Sequence, residues 1–273
     1  MIMKKWIFPL LAAVLAVGVS VMRAQQYIIS YDLVDGLINP AGSLPVLMYI
    51  LFGLSAAVLV VLSVGVKYKR ENMKKRSFYN KSMTYFVTCC LAGVLLVAAS
   101  AVGVKTFFDS RDVFVIISSI GAFLTGVFLL FLGRAYITDN RTESVAVLNT
   151  LPIFWCAIWL VALYRQRSIE PILQEYIFSI VAVILFMFFV YYQAGFCFGK
   201  YNVRTVICLG LLAGLVGLFC GLPPLFIRMM QPGNMIIFNY FDVFAMLGMS
   251  AFALANASVL LANAQKKSEP EQL

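Results

Sequence analysis

The sequence predicts an all-α polytopic membrane protein, a bundle of eight transmembrane helices with N- and C-termini cytoplasmic. Three observations predict it. The 273-residue chain is 62% hydrophobic and 12% charged, against roughly 45–50% apolar and about 25% charged in soluble domains. Its apolar residues fall into eight runs near membrane-spanning length, separated by short polar segments. The segments assigned to one side of that bundle hold 15 of the 21 Lys and Arg residues and those on the other hold 6, so the basic side faces the cytoplasm.

The segment 67–81, KYKRENMKKRSFYNK, fixes this orientation. It carries Lys67, Lys69, Arg70, Lys74, Lys75, Arg76 and Lys81 between two apolar runs. Such a loop meets anionic lipid and is a natural docking surface for a protein partner. The formal charge of +9 therefore belongs to topology and the lipid bilayer. Nucleic-acid binding is not expected, because no separate basic domain exists to carry it.

The first run, 6–22, is close to the minimum for a span. With Lys4 and Lys5 before it, it also has the outline of a signal peptide. Met22-Arg23-Ala24 is a poor cleavage site, however, so the run is read as an uncleaved helix; cleavage would leave seven. The segment 23–44 follows on the outer side, with Asp32, Asp35, Gly36, Asn39, Pro40 and Gly42 as turn formers. The second helix, 45–66, opens on Pro45, where the missing N–H costs nothing. The third, 83–104, leads through a tight turn to the fourth, 113–133. Segment 134–144 returns to the cytoplasm before the fifth helix, 145–164. The sixth, seventh and eighth are placed at 177–199, 205–227 and 241–264, and 265–273 is a short solvated tail. The whole of 1–273 reads as a single transmembrane bundle domain.

A faint internal echo divides it into halves 1–133 and 134–264. Leu91-Ala92-Gly93 recurs as Leu212-Ala213-Gly214, Asp112-Val113-Phe114 as Asp242-Val243-Phe244, and Lys67-Tyr68 as Lys200-Tyr201, all in matching order. Four helices plus four would form a parallel repeat about an axis along the membrane normal, with chance matching among common residues as the alternative.

The seventh helix carries the clearest packing signal. Gly210, Gly214, Gly217 and Gly221 fall at i, i+4, i+7 and i+11 and so share one face, where another helix can approach closely. An internal contact is the first reading and a homodimer the second. Pro223-Pro224 is expected to end or kink this helix before Arg228.

Polar side chains within the bilayer are candidates for function, since each needs a partner there. Asn149 and Thr150, in the fifth helix with Pro152, join Gln193 in the sixth and Asn256 in the eighth as the candidate polar site. Interhelical hydrogen bonding is the plainer account of them. Phe154, Trp155, Trp159 and Tyr164 could stack on a ligand or face lipid and the interfacial belt.

The chain has no His, which excludes HExxH zinc proteases, His-ligated haem, Ser-His dyads and His proton relays. No acidic residue lies deep in a run; Asp112, Glu143 and Asp242 stand at helix ends. Walker and CxxC motifs are also missing, and the six Cys lie in apolar runs as packing residues. No catalytic residue, cofactor or metal is expected. The expected function is a non-catalytic membrane subunit or scaffold that anchors or regulates a partner. A permease-like transporter of a small neutral or lipophilic solute is the alternative, and a lipid-directed enzyme the third. Compact loops and a short N-terminus suggest a bacterial cytoplasmic membrane.

Overall fold

A computed structural model of the protein describes residues 7–30, 43–66, 83–138, 147–167, 174–197, 202–230 and 239–264. Among these residues there are eight α-helices and no strands. They are α1 (Ile7–Ser30), α2 (Ser43–Val64), α3 (Met83–Ser110), α4 (Val113–Thr138), α5 (Leu151–Arg167), α6 (Gln174–Cys197), α7 (Val203–Met230) and α8 (Tyr240–Ala264). All but α5 are long and apolar enough to cross a membrane, which gives the chain the character of a multi-pass membrane protein. The basic segment 67–81 and the tail 265–273 lie outside the described residues.

α7 and α8 form the centre. α7 packs against α1, α2, α6 and α8, and α8 also lies along α3. α4 leans on α3, α5 bridges α4 and α6, and α2 sits at the edge against α1 and α7. In the notional halves, α3 packs on α4 as α7 packs on α8, and α3 also lies against α8. Gly93 meets α4 and Gly214 meets α8, so each of these two glycines receives the next helix.

Several helix ends differ from the hydropathy reading. α1 continues past Arg23 to Ser30, because Ala12, Ala16, Ser20, Arg23, Ala24 and Tyr27 make one buried face against the bundle. α3 runs to Ser110 and absorbs most of the expected turn, leaving only Arg111 and Asp112 as connector. Arg111 takes φ 57° and its N–H bonds the Phe107 carbonyl at 2.8 Å, a left-handed helix cap. Asp112 then caps α4 by accepting from the Phe114 N–H at 2.9 Å. α4 extends to Thr138, past the expected end at Gly133.

α5 starts at Leu151, after a turn at Asn149 and Thr150. Pro152 cannot donate to a preceding turn, and Thr150 instead donates its hydroxyl to the Val147 carbonyl at 2.7 Å. α7 does not stop at its prolines; Pro223 and Pro224 are buried within it and the helix reaches Met230. Surrounding helices hold its path where two ladder bonds are missing.

Close approach of helices rests on glycine. Added Cβ atoms on Gly93 or Gly126 would each lie 2.8 Å from the other's backbone oxygen, so α3 and α4 touch main chain to main chain. Leu96, Ala99, Phe186, Phe189, Phe252 and Leu260 fill the core, which draws on all eight helices.

Candidate functional site

At the end of the bundle where α1, α5 and α7 finish and α6 and α8 begin, a cavity of about 40 Å³ lies among five helices. α1 supplies Arg23, α6 Tyr176 and Ser179, α7 Cys220 and Pro224, and α8 with its cap Asp242 and Asn239. That volume suits a few water-sized groups, at ~10–15 Å³ each. A cation and a carboxylate thus face one small space at the edge of an apolar core.

Arg23 is 5% exposed and sits in an aromatic cage. Its guanidinium centre lies 4.2 Å from the Phe219 ring centroid, 5.1 Å from Phe178 and 5.9 Å from Tyr27, within the range of cation–π attraction. Nη1 donates to the Phe219 carbonyl at 3.5 Å.

Asp242 is fixed by the start of its own helix. Asn239 caps α8 by accepting from the Phe241 N–H at 3.2 Å, and its Nδ2 donates to Asp242 Oδ2 at 2.9 Å. An acid in the first turn also suits the helix dipole. The other oxygen, Oδ1, accepts from Trp159 Nε1 at 2.9 Å. Trp159 stacks on Trp155 with centroids 5.0 Å apart and planes at 12°. Trp155 Nε1 in turn donates to the Ser118 carbonyl at 3.1 Å. Gly121 makes room for it, since a Cβ there would lie 2.6 Å from the indole. A polar brace therefore runs from α4 through two stacked indoles of α5 to α8. A second cavity, of about 10 Å³, lies along it beside Ser118, Trp159 and Asp242.

The candidate polar site is only partly brought together. Gln193 and Asn256 are buried and bonded, Gln193 Nε2 donating to Asn256 Oδ1 at 3.1 Å, while Asn256 Nδ2 donates to the Phe252 carbonyl at 2.7 Å. Gln193 Oε1 is buried without a hydrogen-bond partner among the described residues. Asn149 is buried in the turn before α5, and Thr150 is bonded within that turn. Neither is part of the Gln193–Asn256 hydrogen bond.

The four glycines of α7 face the same chain. Gly210 meets Ala253 and Phe189, Gly214 meets Leu254, Gly217 meets Ser250 and Phe186, and Gly221 meets Leu247 and Val243. Their groove is filled by α8 with help from α6.

Of the aromatic candidates, Phe154 and Tyr164 point outward, whereas Trp155 and Trp159 are each 1% exposed. These two tryptophans belong to the interior brace, not to a lipid-facing belt. Arg23 is the residue that sequence reasoning missed, having placed it in the outer segment. The signal was present in the spacing: Ala12, Ala16, Ser20, Arg23 and Tyr27 recur every three or four residues, continuing one helical face through the charge.

Chemically, the cavity offers a fixed cation, hydroxyls and a carboxylate already accepting from Trp159 and Asn239. Arginine stays protonated and cannot act as a base. Among the described residues no three His, Cys, Asp or Glu side chains gather as a metal site. Comparison with family models, curated proteins and solved structures finds no match to this chain.

Proposed function

We propose that this integral membrane protein is a non-catalytic subunit or scaffold that anchors or regulates a partner. The observation that supports this reading is the use of its interior polar side chains. Gln193–Asn256 joins α6 to α8, Trp155–Ser118 joins α5 to α4, and Trp159–Asp242 joins α5 to α8. Interhelical bonds of this kind act as glue, and three of them favour a rigid platform. The partner would dock on the basic segment 67–81 at the cytoplasmic face. Just after the end of α2, Arg204 Nε donates to the Val66 carbonyl at 3.0 Å and so ties the start of α7 to α2.

The second reading, a permease-like carrier of a small neutral or lipophilic solute, draws on the cavity between Arg23 and Asp242. Recovery from the native membrane in mild detergent separates the two. A second protein retained at fixed stoichiometry supports the scaffold. A chain recovered alone that gives saturable solute uptake in proteoliposomes overturns it.

A further inference from the structure

We propose that Arg23 is a latch: it supplies to α7 the hydrogen-bond donor that Pro223 lacks, and so holds the proline break of α7 against α1. In a regular helix the amide of residue 223 would donate to the carbonyl of Phe219 and that of 224 to Cys220. Prolines have no amide hydrogen, so both carbonyls lose their ladder partners. In a membrane-type bundle such groups must be satisfied by neighbouring helices or enclosed polar groups.

Arg23 Nη1 reaches the Phe219 oxygen, the acceptor that Pro223 vacates. The same guanidinium covers the Phe219 ring at 4.2 Å, so one side chain holds both the carbonyl and the ring of the residue at the break. One turn earlier on α1, the Ser20 hydroxyl lies 3.1 Å from the Leu218 carbonyl while bonding the Ala16 carbonyl at 2.6 Å. Two successive turns of α1 thus lie against two successive carbonyls of α7, and Arg23 supplies the donor to the second. Arg23, Cys220 and Pro224 line one wall of the cavity whose other wall carries Asp242. Release of the latch frees that wall to move and enlarges the cavity.

The test is a double-mutant cycle on the full-length protein in detergent, with R23M, P223A and the pair, followed by thermal melting. In P223A the amide returns to the Phe219 carbonyl. The loss of Tm caused by R23M is therefore expected to be at least about twofold smaller in P223A than beside Pro223. An R23M protein that fails to accumulate but is recovered with P223A is the same result in stronger form. Equal losses in both backgrounds, or failure in both, overturn the latch.

Cys220 gives a second readout, in a chain whose other five cysteines are replaced by Ala. R23M is expected to speed its reaction with a hydrophilic thiosulfonate at least about threefold, and P223A to restore the slow rate. An unchanged rate in R23M overturns the proposed movement.

Discussion

Replacing Gly93 by Ala tests the main-chain contact between α3 and α4. The new Cβ would stand 2.8 Å from the Gly126 carbonyl oxygen and 2.9 Å from Leu130 Cγ. Close C···O contacts sit at about 3.3–3.6 Å, so α3 and α4 must part by roughly 0.5 Å. The first obstacle is backbone, which no rotamer change can move aside. Overpacking of this kind costs ~1–3 kcal/mol. Alanine also gains up to ~1 kcal/mol of helix propensity over glycine. Gly53→Ala is the matched control, because a Cβ there meets nothing within 4 Å and only the propensity gain applies. The difference between the two variants therefore isolates the contact, at ~1–3 kcal/mol against Gly93→Ala. Unfolding in graded SDS, followed by Trp fluorescence, reads it directly. Equal stability of the two variants, within ~0.5 kcal/mol, would refute main-chain contact between α3 and α4.

Three further outcomes follow from the same geometry. Gly214→Leu should destabilise by driving its side chain into Leu254, which a Cβ alone already meets at 2.5 Å, while light scattering shows the wild-type oligomeric mass. A change of mass instead would place that face at a subunit contact. Asn256→Leu should cost more than Gln193→Met in the SDS assay, since it also leaves the Gln193 amide without an acceptor. The double variant should cost less than the sum, with a coupling of ~0.6–2 kcal/mol. Trp159→Phe keeps the stack on Trp155 but deletes the donor to Asp242, for a loss of ~1.5–3 kcal/mol. If that loss persists in the Asp242→Leu background, the hydrogen bond is not its source.

Legibility in the sequence tracked the kind of force involved. Hydropathy runs located all eight helices, because burial from water dominates where a span can exist. The glycine spacing of α7 pointed to one tight face, since backbone approach needs small residues at helical period. Hydropathy failed at Arg23, where a charge ends an apolar run although the buried helical face continues through it. It also failed at Leu151, where Pro152 and the Thr150 hydroxyl set the helix start through local hydrogen bonding. The pairing of Gln193 with Asn256 and the Trp155–Trp159–Asp242 brace were not readable. They depend on which helices become neighbours, and a single sequence with short connectors leaves that order open.

The central claim is that this bundle serves a partner. Its most direct test is the native mass of the particle released from its own membrane in mild detergent. The account predicts a mass equal to the chain plus a second, identifiable protein in a fixed ratio, reproduced across two orthogonal separations. A particle with the mass of the chain alone, or a whole multiple of it, would contradict the claim.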